Sequence, residues 1–74
     1  MKFVLNNDAV VALEEKNIIF DLSKDYSDDE AFELSDAIRE VQIFYAQNGD
    51  QESLALADKY ANIADEIDRQ IDAS

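Results

Sequence analysis

Oxygen-bearing side chains alternate along Asp21-x-Ser23-x-Asp25-x-Ser27-x-Asp29. That is the spacing at which a calcium loop presents its ligands, since a hard cation takes about six to eight oxygens. The pattern departs from such a loop at two decisive positions. The sixth residue, which should be glycine for the sharp turn, is Tyr26, and the twelfth, which should be a bidentate glutamate, is Phe32, with Glu33 one residue late. The preceding segment also reads as a strand, not as the entering helix of a calcium hand. An ordinary strand-to-helix connection explains the stretch, so no metal site is assigned. A weak calcium-responsive module using Asp21, Asp25 and Asp29 is the most distant of three functional readings.

Catalysis has less support. Carboxylates pair at Glu14/Glu15, Asp28/Asp29 and Asp65/Glu66, but acid–base work needs a carboxylate shifted by burial or by a special neighbour. These fall on solvent faces. The chain has no histidine or cysteine, so a nucleophile and base would have to be serine with lysine or a carboxylate, and no spacing suggests that. Gly49 is the only glycine, which excludes a glycine-rich phosphate cradle. The expectation is a protein that is not an enzyme, with no catalytic residue, cofactor or metal.

The elements that position these side chains can be read from periodicity. Phe3-Val4-Leu5 is a short apolar run of strand type. Asn6 or Asn7 can cap a brief helix by accepting a bond from a first-turn N–H, and Asp8 suits its positive end. Val10 and Leu13 fall on one side of that helix, and Glu14, Glu15 and Lys16 close it. Asn17 reads as a turn. Ile18 to Leu22 is β-branched and aromatic, with Ile18, Phe20 and Leu22 on one face, which predicts a second strand. Strand, helix and strand within residues 1–24 predict a β-α-β cap with a two-stranded, parallel sheet.

The remaining chain is helical. After a polar connection from Ser23 to Tyr26, Ser27-Asp28-Asp29-Glu30 matches a capping box. A helix is expected from about Asp28 to Gln47, burying Ala31, Leu34, Ala37, Ile38, Val41, Phe44 and Tyr45 at ~100° per residue. Asn48-Gly49 supplies a left-handed stop, and Asp50 caps the next helix, from about Gln51 to Asp72. That helix has an apolar face of Leu56, Tyr60, Ile63, Ala64, Ile67 and Ile71, with Asp58, Asp65 and Asp72 in one line behind it. An Asp65–Arg69 pair is expected at i,i+4. Helices of similar length joined by so short a turn pack antiparallel. The predicted fold is therefore α+β and mostly helical: a single domain, 1–74, with the cap at 1–24 on a helical hairpin at 27–72 that turns at 48–50.

Composition limits the partners. The 74 residues are 47% hydrophobic, with 18 acids against 6 bases and a net charge of −12. Residues 1–24 hold four acids and three lysines, net −1, while residues 25–74 hold fourteen acids against Arg39, Lys59 and Arg69, net −11. The hairpin is the acidic object. Direct nucleic-acid binding and anionic membranes are disfavoured, and a basic protein surface is the natural complement. No segment approaches the ~20 apolar residues of a membrane span. Met1 to Leu5 begins like a signal peptide, but Asn6, Asn7 and Asp8 end the apolar run. The expectation is a soluble, cytoplasmic chain.

Phe32 and Ile43 break the pattern of the first long helix. They point almost the same way, opposite the main apolar face. Either the N-terminal unit covers them, or they are exposed as apolar anchors within an acidic rim, the composition of an interface hot spot. In composition the chain resembles the small acidic inhibitors and nucleic-acid mimics made by phages and mobile elements, without residue-level correspondence. The leading expectation is a non-catalytic binding module or inhibitor whose Asp36, Glu40, Asp58, Asp65 and Asp72 supply charge and whose Phe32 and Ile43 supply contact area. The alternative is an assembly subunit that forms a homodimer or larger array through its helices or a strand edge.

Overall fold

A computed structural model describes residues 1–73 and places three helices in them: α1, Asn7–Glu15; α2, Asp28–Asn48; and α3, Gln51–Ala73. Each begins where its cap directs. The Asn6 side chain accepts from the Ala9 N–H at 2.8 Å. Ser27 and Glu30 form the complete capping box, with both reciprocal bonds at 3.2 Å. Asp50 accepts from the Ser53 N–H at 3.4 Å. Gly49 ends α2 at φ 76°, a left-handed conformation that glycine adopts without a Cβ clash.

The C-terminus of α1 is a Schellman motif. Asn17 takes φ 58°. Its N–H bonds the Glu14 carbonyl at 3.0 Å, and the Ile18 N–H reaches back to the Leu13 carbonyl at 3.0 Å. Ile18 is half-buried against the core, as the apolar contact that accompanies this motif requires.

α2 and α3 run antiparallel. Ser35 of α2 meets Asp68 of α3, and Tyr45 stacks on Tyr60 at 5.9 Å, so the start of one helix faces the end of the other. Their apolar faces and α1 enclose one core, which includes Leu13, Leu34, Ile38, Tyr60, Ile63 and Ile67. Nine residues are too few for a stable free helix; burial of Ala9, Ala12 and Leu13 holds α1 in place.

The expected strands at 3–5 and 18–22 are absent, and with them the β-α-β cap: no strand occurs among the described residues. The fold is all-helical, and hydrogen bonding explains why. The Gln70 side-chain amide of α3 occupies both ladder groups of Val4, accepting from its N–H at 2.9 Å and donating to its carbonyl at 2.8 Å. Phe3 is buried beside Tyr26, with ring centroids 5.5 Å apart. Met1 and Tyr26 exchange a pair of 2.6 Å bonds between amino or amide groups and carbonyls. Residues 18–21 are meanwhile irregular, and Leu22 and Ser23 form a turn closed by the Lys24 N–H donating to the Asp21 carbonyl at 3.2 Å. Asp21 donates its N–H to the Tyr26 hydroxyl at 3.1 Å, and its carboxylate accepts from Ser23 N–H and Oγ at 2.9 and 2.7 Å. Two strands alone would be unstable in water; contacts to α3 and Tyr26 replace that pairing.

Candidate interaction surface

Phe32 and Ile43 are exposed at 53% and 52%, so the N-terminal segment does not cover them. Asp36 lies beside them on α2 and is also exposed; neither its carboxylate nor that of Glu40, exposed at the edge of this side, forms an ion pair among the described residues. Arg39, between Phe32 and Ile43 in helical phase, turns across to α3. It pairs closely with Asp68 and reaches Asp65 at 3.4 Å.

That crossing rearranges the expected acidic line. Asp58, Asp65 and Asp72 are all exposed on α3, but Asp65 shares Arg39, while Arg69 pairs with Glu66 and not with Asp65. Asp68 is held most firmly: it accepts from the Ser35 hydroxyl at 2.7 Å as well as from Arg39. Burial pushes its carboxyl up, and the Ser35 and Arg39 bonds outweigh that and leave it below the usual aspartate value.

The seven expected site residues therefore divide. Phe32 and Asp72 share a small hollow with Asp68 and Ile71. Glu40, at the edge of that side, also lines a separate hollow with Phe44 and Tyr45. Asp58 lies further along α3. They form no single cluster but a broad acidic surface with apolar points in it.

Two aromatic positions differ from the expectation. Phe44, expected in the core, is 61% exposed. Tyr26, expected in a polar connection, is buried between Phe3 and Phe20. The signal for Tyr26 was its place among aromatic residues distant in sequence, which helical spacing alone does not reveal.

The cations are largely engaged within the chain. Lys24 pairs with Glu30 at 2.5 Å and holds that carboxyl below its usual value. Lys16 lies 4.7 Å from the centre of the Tyr45 ring, and the neighbouring Tyr45 side chain raises the ammonium pKa. The Met1 amino group pairs with Asp25. Lys2 and Lys59 form no ion pair among the described residues. The surface charge left without a counter-charge is thus overwhelmingly carboxylate.

The oxygens of the alternating Asp/Ser stretch are likewise used separately: Asp21 binds Ser23, Asp25 binds Met1, and Ser27 caps α2. No group of three or more carboxylates placed to hold a metal ion lies among the described residues. No helix there is long and apolar enough to cross a membrane. No family model, curated protein or solved structure matches the chain. The fold and surface define a small three-helix protein with an acidic hairpin.

Proposed function

We propose that this is a non-catalytic, cytoplasmic binding protein that engages a basic surface on a protein partner and can act as its inhibitor. The partner class includes nucleic-acid-binding proteins, whose phosphate-binding surface the hairpin would occupy by mimicry. One observation carries the reading: Asp36, Glu40, Asp58 and Asp72 stand exposed without an ion pair, spread over a surface on which Phe32 and Ile43 are also exposed. The longest extent of the molecule is 37 Å. Duplex DNA of that length carries about 22 phosphates, against a net charge of −12 here. The charge density is roughly half that of DNA, enough to steer a basic partner.

The test is affinity capture from lysate at low and high salt, with the wild-type chain beside Asp58→Lys/Asp65→Lys/Asp72→Lys. Basic or nucleic-acid-binding proteins should be enriched at low salt, released as charge is screened, and lost from the reversed variant. Retention of every partner by that variant would mean that the α3 line is only solvated.

A second reading, self-association through α2, is supported by the exposed Phe32 and Ile43. It requires two copies of net charge −12 to meet. Sedimentation at low and high salt separates the readings: a monomer in both, at high protein concentration, removes the assembly role.

A further inference from the structure

A channel runs along the other flank of α2, between that helix and the turn that follows α1. Two hollows, of about 420 and 350 Å³, lie next to each other along α2, with Ile18 and Ala37 at their common border. Val41, Phe44 and Tyr45 give the first its apolar wall, and Leu34 and Tyr26 give the second its own. On the α2 rim stand Glu33 and Glu40, both exposed and without an ion pair among the described residues. Lys16 and Lys24 line the channel at either end, but one rests on the Tyr45 ring and the other is paired with Glu30. Lys16 keeps its charge without an ion pair, so the unpaired charges along the channel are two carboxylates against one ammonium, a net of −1.

We propose that this channel receives the apolar face of a basic amphipathic helix from the partner. The proposal rests on the basic-partner reading above and adds where, and in what form, the partner docks. The channel follows α2 from Glu30 to Phe44, ~21 Å or about four helical turns. Along it Ala37 leaves a notch between the larger Glu33 and Glu40, so a ridge of a second helix can seat a large side chain there. Cations seven residues apart on that helix would lie opposite Glu33 and Glu40, which are themselves seven residues apart. This is helix-in-groove recognition with charge setting the partner. A second copy of the chain fits poorly. Its long helices carry only Arg39, Lys59 and Arg69 as cations, and two of those are already paired.

The test uses fluorescein-labelled peptides about 15 residues long and the full chain, with anisotropy read at about 0.15 M salt. One peptide has leucine and lysine in amphipathic helical order; a second has the same composition scrambled to remove the apolar face; a third replaces lysine by glutamate. The ordered cationic peptide should bind about tenfold tighter than the scrambled one and gain helicity on binding. Ala37→Trp fills the notch without altering charge and should remove that advantage while leaving the scrambled peptide's affinity unchanged. Phe44→Ala, at a side chain already mostly exposed, should weaken the ordered peptide in the same sense, so the proposal stays testable if Ala37→Trp misfolds. Equal binding of the two cationic peptides, with neither variant discriminating between them, would overturn the channel proposal and leave the basic-partner reading standing. If neither cationic peptide outbinds the glutamate peptide, the basic-partner reading falls, and this proposal with it.

Discussion

Removing one oxygen atom from Tyr60 should destabilise the whole N-terminal third of the molecule. Tyr60 is 1% exposed and donates its hydroxyl to the Ala12 carbonyl at 3.1 Å. In a regular helix that carbonyl would accept from the Lys16 N–H. Here the last turn of α1 tightens, and Lys16 bonds Leu13 instead, at 3.1 Å. Ala12 is itself 1% exposed, so without Tyr60 its carbonyl is buried away from water and lacks the donor that the tightened turn took away. Tyr60→Phe keeps the ring that stacks on Tyr45 and removes only the bond. A buried acceptor left unsatisfied costs about 1–3 kcal/mol. For a chain of this size each kcal/mol moves the melting temperature by about 4–8 °C, so the central expectation is a fall of about 8–16 °C. Melts followed by circular dichroism, with urea unfolding as a check, measure it. Alkaline pH gives a second signature. Burial raises the Tyr60 phenol pKa above 10.0, so its contribution is complete below the unfolded value and is lost as pH rises through the folded one. The wild type should lose part of its advantage over Tyr60→Phe above about pH 10. Melting of the two proteins within about 2 °C of one another would refute the reasoning, because α1 would then not depend on this bond.

Two further outcomes follow from the contacts between elements. Asp68→Asn should lower stability at neutral pH and flatten the acid limb of the stability curve. The folded-state carboxyl titrates below its reference of 3.8, so its contribution is present above that value and is lost as pH falls through the folded one. Urea midpoints measured from neutral to acidic pH check this, and parallel curves for the two proteins would count against it. Gln70→Ala should free Val4 from both amide bonds, at a cost of about 1 kcal/mol since the site is exposed. Hydrogen exchange at the Val4 amide should accelerate while amides of α2 and α3 keep their protection; an unchanged Val4 rate would mean that Gln70 does not hold this segment.

The helices were legible because their signals are local. Asn6, the Ser27–Glu30 box, Gly49 and Asp50 each act within four residues, and each sits where its chemistry requires. The strands were misread because β propensity reports fit to a half-buried pleated surface and does not by itself create one. Val4 found its partner sixty-six residues away, in a side-chain amide that copies a neighbouring strand's N–H and C=O. No pattern near Val4 encodes that. Ile19 shows the converse: β-branched and strand-like in sequence, it is the most exposed large apolar residue. At the surface, Phe32 and Ile43 were legible as an anomaly of helical phase, and the structure selects their exposed alternative. Phe44 was not legible, since its phase lies at the border of the apolar face and only the position of the α1 turn decides which side of the border is covered.

Arg39 connects the stability of the hairpin with the character of its surface. By crossing to Asp65 and Asp68 it fastens α2 to α3, and it also leaves Asp36 and Glu40 without a cation on their own helix. Lys24, Arg69 and the Met1 amino group repeat the effect, each engaged by a carboxylate within the chain. The folded chain thus uses most of its few cations internally, and its outer face repels itself. Exposed pairs of this kind contribute little individually, about 0–1 kcal/mol, so they do not neutralise the field of the unpaired carboxylates. Neighbours on one helix face, such as Asp36 and Glu40 at i,i+4, lie within one Debye length, ~10 Å at 0.1 M salt, and their mutual repulsion opposes the compact state. Were a cationic partner to bind, as proposed, it would relieve that repulsion, so the excess charge that burdens the free protein would contribute to the stability of the complex.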